Sequence, residues 1–222
     1  FLRNLRNIIA ANVDNDLIKT YLKDLDVSKI LPFRFITASK YAEFLYKELN
    51  DKFLDCINSV YQEKLEGKTI ILVDESGSMC SPVSKKSDIS NIDCAATVAA
   101  MCYEICNDVD IYGFNVSVRK LEIKNSGLDI TKKFNAHGGT RLGSAINEIN
   151  REDHDRLIVI TDEQSQDKIP LPNTKFAYMI NVASNKNGVG YGNNWIHIDG
   201  WSESILTFIY EYEKFIKTCD II

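Results

Sequence analysis

The amino-acid sequence predicts an α/β fold in which an α-helical segment precedes a doubly wound, mostly parallel β-sheet. Two observations lead to this prediction. From Gly67 onward, short β-branched runs alternate with amphipathic stretches of helical length, which is typical of strand–helix–strand units. Before Gly67, apolar residues instead recur at steps of three and four, which is the period of a helix. We therefore expect a helical segment at 1–66 and an α/β domain at 67–222.

The helical segment is expected to contain two amphipathic units. The first apolar stripe begins with Leu2, Leu5 and Ile9, and a break is expected just before Pro32 because a residue that precedes proline disfavours the helical conformation. A second, longer helix is predicted from about Thr37 to Leu65. Because neither unit can bury its apolar face alone, they must pack on each other, on the α/β domain or on neighbouring helical repeats.

The α/β domain is expected to begin with Thr69–Val73, a strand buried on both faces. The further predicted strands cover 111–114, 118–123, 157–160, 176–182 and 195–198, and the predicted helices cover 91–106, 141–149 and 203–215. Asn115 lies between two of these strands, so that pair is predicted to form an antiparallel hairpin at the edge of the sheet.

Composition and hydropathy indicate a soluble globular protein. Of the 222 residues, 45% are hydrophobic and 26% are charged. A membrane span needs an apolar run of about eighteen residues, and neither such a run nor a signal peptide is visible. The sequence opens at Phe1, already inside a helical pattern, so we expect it to be a C-terminal fragment of a longer protein.

The cysteines predict buried free thiols rather than a zinc site. Six cysteines are scattered without paired spacing: Cys56, Cys80, Cys94, Cys102, Cys106 and Cys219. A zinc site on the helix that carries Cys94 and Cys102 would need further soft ligands, and the three histidines are far away in the sequence. Reduced thiols favour the cytoplasm.

The charge distribution gives no nucleic-acid-binding signature, and no DNA partner is expected. The net charge is −5, and residues 1–66 carry ten basic and ten acidic side chains, so the whole acidic excess lies in 67–222. An acidic domain does not attract a phosphate backbone without help.

Oxygen-bearing side chains follow the first buried strand at alternating positions. Asp74, Ser76 and Ser78 stand in one loop, and ligands of open α/β sheets bind at the carboxyl ends of strands. Thr140 follows two glycines, and Asp162 follows another buried strand, so both are expected on the same rim. One hard, oxygen-only set of this kind suits Mg²⁺ or Mn²⁺.

Each of these side chains also has an ordinary structural explanation. Ser76 and Ser78 are typical turn residues, Thr140 could cap a helix, and Asp162 could cap a strand end. Their coincidence in this order, in three loops at the ends of predicted elements, favours the metal site.

The residues of this site carry a resemblance to a known family. Ile71–Met79, Gly138–Thr140 and Ile160–Asp162 resemble the metal-ion-dependent adhesion site (MIDAS) of von Willebrand A domains, over about 67–222. The resemblance implies that the hydroxyls of the metal loop bind the ion directly. It implies that the carboxylates and the threonine bind directly or through water, and that one position stays open for water or a partner's carboxylate. Glu75 and Glu163 are extra carboxylates, which would either raise metal affinity or close that open position.

A second resemblance covers the helical segment. Leu2–Leu5 and Ile30–Phe35 are similar to the end of the helical-repeat module of Ro (TROVE) ribonucleoproteins, which leads into a von Willebrand A domain in the same order. This resemblance implies binding of small noncoding (Y) RNAs and misfolded RNAs, mainly through a helical ring that lies upstream of Phe1. Arg3, Arg6 and Arg34 are candidate RNA contacts, or simply solvated helix-face residues.

Two other functions compete with this interpretation. An adhesion-type module would bind an acidic residue of a protein partner through the metal. A Mg²⁺-dependent phosphohydrolase is less consistent with the sequence, because a dehalogenase-type phosphatase needs an aspartate where Ser76 stands and no histidine is placed as a general base. The sequence therefore predicts a non-catalytic protein.

Overall fold

The core of the protein is a six-stranded sheet, seen in a computed structural model that describes residues 1–85, 87–183, 194–202 and 204–219. The strands are β1 (Leu65–Asp74), β2 (Cys106–Phe114), β3 (Val118–Lys120), β4 (Arg156–Thr161), β5 (Phe176–Asn181) and β6 (Ile196–Asp199). Their spatial order is β3-β2-β1-β4-β5-β6. All neighbours pair in parallel except β2 and β3, whose antiparallel pairing confirms the predicted edge hairpin.

The strand order reverses between β1 and β4, and this reversal creates a crevice at the carboxyl ends of these two strands. From β1 the chain builds outward through β2 to one edge, then returns to the other side of β1 to build β4, β5 and β6. The carboxyl ends of β1 and β4 therefore flank the point where the connections diverge, which is where open α/β sheets bind ligands. Asp74 ends β1, and Asp162 directly follows β4.

Helices cover both faces of the sheet, which confirms the doubly wound prediction. The helices of the α/β domain are α5 (Asn91–Ile105), α6 (Leu128–Thr131), α7 (Leu142–Ile149) and α8 (Ser204–Cys219). Alternate residues of β1 belong to two apolar clusters: Ile71 and Val73 face α5 and α8, whereas Ile70 and Leu72 face α7. The predicted helix start at Glu203 lies outside the described residues.

The helical segment differs from its prediction. It contains α1 (Leu5–Ala10), α2 (Asn15–Lys23), α3 (Phe33–Tyr41) and α4 (Tyr46–Asn58). The single helix predicted from Thr37 to Leu65 is wrong, because Ala42 takes an extended conformation (φ −132°, ψ 60°) between α3 and α4. The apolar period continues across the break because both helices bury their stripes in one core. Leu65, in turn, already belongs to β1.

The helices of the N-terminal segment pack against the α/β domain. Lys40 of α3 contacts Asp93 of α5 at 2.5 Å, and Asn50 of α4 accepts a hydrogen bond of 2.6 Å from the backbone N–H of Leu128. One continuous apolar cluster contains side chains of α2, α3, α4, α5 and α8. The apolar faces of the N-terminal helices are therefore buried against one another and against the α/β domain. The division at residues 66 and 67 stays a prediction.

Four of the six cysteines are buried thiols, as expected: Cys56, Cys94, Cys102 and Cys106. Cys80 and Cys219 are exposed. No helix in the described part of the chain combines the length and the apolar character that crossing a bilayer requires.

Candidate metal centre

Asp74 stands at the centre of the candidate site, fully buried at the end of β1. Its Oδ1 accepts a hydrogen bond of 2.8 Å from the backbone N–H of Ser76, and its Oδ2 accepts one of 2.6 Å from the hydroxyl of Thr161. The hydroxyl oxygens of Ser76 and Ser78 lie 3.1 Å apart. The metal loop, residues 74–78, therefore folds back so that both serine hydroxyls lie together.

Asp162 brings a second buried carboxylate to the same end of the sheet. Val73 pairs with Ile160, so the residues that follow them in β1 and β4 run side by side. Asp162 is 1% exposed, and its Oδ1 accepts a hydrogen bond of 3.1 Å from the backbone N–H of Gln164. It thus does act as a strand-end cap through one oxygen.

The negative charges of the two buried carboxylates are unfavourable beside each other, and a bound cation would relieve this repulsion. Burial raises the pKa of Asp74 to about 6, against the opposing effect of the hydrogen bonds from Ser76 and Thr161, and the charge of Asp162 raises it further. The hydrogen-bond donors at Asp74 are neutral groups, so they do not cancel its charge. A buried carboxylate with these surroundings fits a cation site.

Thr140 lies in the third loop and does not act as a helix cap. Helix α7 begins at Leu142, and its first N–H groups are taken by Ser165 and Asp167 at 2.8–3.2 Å. The loop carrying Thr140 is joined to the metal loop by a 3.0 Å hydrogen bond from the N–H of Gly77 to the carbonyl of Gly138. Thr140 is 6% exposed.

The structure thus brings the five predicted ligands to one edge of the sheet, in three different relationships. Asp74, Ser76 and Ser78 belong to one loop that is closed by hydrogen bonds, and Asp162 follows the adjacent strand. The loop that carries Thr140 is held to the metal loop by the hydrogen bond between Gly77 and Gly138. Two carboxylates and three hydroxyls are hard oxygen donors of the type that Mg²⁺ and Mn²⁺ prefer. The identity of the ion stays a prediction.

The two extra carboxylates face away from the metal loop's serines. Glu75 accepts hydrogen bonds from Arg119 at 2.7 Å and from the backbone N–H of Asn135 at 3.0 Å. Glu163 contacts His197 on β6, two strands beyond β4. Burial, with the nearby charges of Asp199 and Asp162, raises the pKa of Glu163 to about 8.

A zinc-type cluster is not found in the described ranges, where no group of three or more His, Cys, Asp or Glu side chains could hold an ion. The candidate metal site differs from such a cluster because three of its five oxygen donors are hydroxyls. Its chemistry depends on the serine and threonine side chains as much as on the carboxylates.

Sequence reasoning missed a polar rim beside the site. The amide nitrogen of Asn115, at the turn of the β2–β3 hairpin, lies 3.1 Å from Nε2 of His137. Asn115 is half-buried and His137 is exposed. Val116 next to them is 57% exposed. The sequence places Asn115 only between two predicted strands, and it shows His137 only as one of three histidines that lie far from the cysteines.

The three candidate RNA contacts do not form one group. Arg3 and Arg34 line the same pocket of about 420 Å³. Lys29 lines this pocket as well, although it was not among the predicted RNA contacts. Arg6 instead lies with its guanidinium 5.1 Å from the ring of Tyr41 and 3.9 Å from Asp88. A basic rim at this end of the chain would therefore consist of Arg3, Lys29 and Arg34.

Comparisons with known proteins give evidence at the level of structure. No family model and no curated protein matches the sequence. The structure is similar to the crystal structure of the Ro (RSR) protein of Deinococcus radiodurans, with a TM-score of 0.65 and 16% sequence identity. The match covers 94% of this chain and 51% of that protein, so the chain spans about half the length of the Ro protein. The helical segment and the α/β domain together therefore have the fold of half a Ro protein.

Proposed function

We propose that this chain is a non-catalytic, divalent-metal-binding von Willebrand A domain with its adjoining helices, in a Ro-like RNA-binding protein. The observation that carries the metal assignment is the pair of buried carboxylates, Asp74 and Asp162, at the switch point of the sheet beside the serine hydroxyls. The similarity in fold to a Ro protein supports the RNA-binding context.

In this proposal, five side chains hold Mg²⁺ or Mn²⁺. Ser76 and Ser78 bind it through their hydroxyls, and Thr140, Asp74 and Asp162 bind it directly or through water. The ion, when bound, supplies positive charge to the buried carboxylates and leaves one position for an outside oxygen ligand. Burial keeps bulk water away from Asp74, so each electrostatic contact at this position is stronger than it would be at the surface.

The RNA partner is a small noncoding RNA, bound by the longer protein. The helical segment carries equal numbers of basic and acidic side chains, so this part of the protein contributes few phosphate contacts. The pocket with Arg3, Lys29 and Arg34 is the place in this chain where such contacts would occur. We also propose a cytoplasmic location, since the four buried cysteines are free thiols.

The metal assignment is tested by thermal melting in millimolar Mg²⁺ or Mn²⁺ and in EDTA. Binding to the folded state alone stabilises it by about 2.7 kcal/mol when the ion is present at a hundred times its Kd, so the melting temperature should rise by several degrees. Asp74→Asn should abolish this rise. Asp129→Asn on α6 is the matched control and should keep it. Identical wild-type curves in metal and EDTA would contradict the proposal.

An adhesion-type function is the second candidate, and the exposed rim of Asn115, Val116 and His137 favours it. A protein ligand that offers an acidic residue to the metal would contact this rim. Affinity capture from cell extract with and without RNase separates the two functions. Partners that are protein alone, and that survive RNase, would favour adhesion over the Ro-like role.

A further inference from the structure

We propose that Glu75 is a positioning residue of the metal site, which acts by fixing the loop that carries Thr140. This inference rests on the proposed metal binding and assigns a role to a side chain that is not one of the ligands. The loop concerned, residues 133–140, is called the threonine loop below. Glu75 stands in the metal loop between Asp74 and Ser76, yet its carboxylate contacts residues outside that loop.

The carboxylate of Glu75 connects two distant segments. Its Oε1 accepts a 2.7 Å hydrogen bond from Arg119 on β3 and a 3.0 Å hydrogen bond from the backbone N–H of Asn135. The same Arg119 nitrogen donates to the carbonyl of Lys133 at 3.2 Å. The Glu75 side chain is 3% exposed, whereas that of Arg119 is 52% exposed. A buried charge that is bonded in this way holds the start of the threonine loop against β3.

The backbone of Glu75 bonds the end of β2 and, again, the threonine loop. Its N–H donates to the carbonyl of Phe114 at 2.7 Å, and its carbonyl accepts from the N–H of His137 at 2.6 Å. Side chain and backbone together therefore hold the threonine loop at Asn135 and at His137, from a single residue of the metal loop.

The sequence makes room for this arrangement at Gly113 on β2. A Cβ atom at this position would lie only 2.2 Å from Oε2 of Glu75. The side chain of Glu75 therefore lies directly across the glycine, and it reaches the threonine loop through a space that any other residue at 113 would fill.

These contacts fix both sides of Thr140. On one side, Gly138 accepts the 3.0 Å hydrogen bond from Gly77. On the other side, the N–H of Arg141 donates to the carbonyl of Asn115 at 2.9 Å. Gly138 directly follows His137, so a shift of the loop at Asn135 and His137 would move this anchor and, with it, the hydroxyl of Thr140.

A double-mutant cycle on the whole chain tests this role, with Mn²⁺ as the probe and calorimetry as the readout. Removing a residue that orients a metal ligand lowers metal affinity by roughly 10–100-fold. Glu75→Gln should therefore weaken Mn²⁺ binding by about tenfold. Thr140→Ala removes the hydroxyl through which Glu75 acts, so in that background Glu75→Gln should change the affinity less than about twofold, because effects on a shared partner are not additive.

Arg119→Met provides a second route to the same measurement. Arg119→Met removes the side-chain donor that joins Glu75 to the carbonyl of Lys133, so it should reproduce the loss caused by Glu75→Gln in the wild type and not in the Thr140→Ala background. Lys120→Met is the matched control, because Lys120 is the next residue of β3 but pairs with Asp110 at 2.8 Å instead. It should leave Mn²⁺ affinity unchanged.

Two outcomes would overturn the inference while leaving metal binding in place. Unchanged Mn²⁺ affinity in both Glu75→Gln and Arg119→Met would show that the side chain of Glu75 positions nothing. An equal loss in both backgrounds would show that Glu75 acts directly on the ion, as a ligand or through its charge. A wild-type chain that binds no Mn²⁺ would instead remove the proposed function itself, and this inference with it.

Discussion

At the scale of single residues, the electrostatics of Asp74 give the candidate site its pH dependence. In the metal-free protein its pKa is raised to about 6, from an ordinary value of 3.8, mainly by burial. Ionisation of Asp74 therefore costs folding free energy above about pH 6, and that cost disappears as the pH falls from about 6 toward 4. A bound cation would reverse this balance, because it favours the ionised carboxylate.

Metal affinity should accordingly fall in mild acid. Because an ion competes with the proton on Asp74, Mg²⁺ or Mn²⁺ binding should weaken by about tenfold between pH 7 and pH 5, with the change centred near the raised pKa of about 6. Calorimetric titrations at pH 5, 6 and 7 measure this. Lys120→Met should show the same dependence as the wild type. An affinity that stays constant over this interval would show that no carboxyl with a raised pKa takes part.

The five candidate ligands could be selected from the sequence because each follows a recognisable strand or glycine pair. The metal loop is local, and its spacing alone places Asp74, Ser76 and Ser78 together. The role of Glu75 could not be predicted in this way, since its partner Arg119 lies 44 residues later. Alternating spacing predicts which face a side chain takes, but it does not predict which distant cation that side chain meets.

At the scale of single elements, the N-terminus of α7 depends on a residue from another loop. Asp167 accepts hydrogen bonds of 2.8 Å from the N–H groups of Gly143 and Ser144, and Ser165 accepts one of 3.2 Å from Leu142. Despite partial burial, which raises the pKa of Asp167, the hydrogen bonds from these groups lower it to about 2. The cap thus remains charged under all ordinary conditions.

Removal of this cap should destabilise the protein. Asp167→Ala leaves the first N–H groups of α7 without their acceptor, and the loss of a helix cap costs about 1 kcal/mol. Urea denaturation should show a lower midpoint with an unchanged slope. Asp153→Ala, at an exposed position just after α7, serves as the comparison and should have a smaller effect. A midpoint equal to that of the wild type would mean that water replaces the cap at no cost.

The strands of the sheet were easier to predict than the helices before it. Strands β4 and β5 were predicted within one residue of their bounds, since a parallel strand buried on both faces reads as a continuous apolar run. The break at Ala42 escaped prediction because the apolar period stays in step across it. The apolar period of a sequence indicates which side chains are buried. Two short helices that bury one stripe therefore show the same period as one long helix.

At the scale of the whole molecule, a buried ion pair joins the last helix to the centre of the sheet. Arg156 of β4 and Glu213 of α8 are in contact, with side chains 1% and 0% exposed. Arg156 also donates to the hydroxyl of Thr69 at 2.6 Å, and Tyr178 donates to Glu213 at 3.0 Å. These bonds satisfy the charges where water does not reach them, so the pair fixes the position of α8 on the sheet.

Breaking this pair should destabilise the chain as one unit. Glu213→Gln leaves Arg156 buried without its counter-charge, which costs about 3–5 kcal/mol. Because one apolar cluster links the helical segment to the α/β domain, calorimetry should show a single transition that moves to lower temperature. Lys214→Met breaks the exposed pair with Glu63 and a contact with the ring of Tyr210, and it should shift the transition little. Two separate transitions would contradict this view of the core.

The close approach of Glu75 to Gly113 also limits how this sequence can change. A methyl group at 113 and a long acid at 75 would compete for one volume, so an alanine at 113 is tolerable only beside a shorter residue at 75. In a library randomised at both sites, folded survivors should pair a large residue at one with a small residue at the other. Two codons 38 positions apart would thus be selected jointly, although neither encodes one of the five candidate metal ligands.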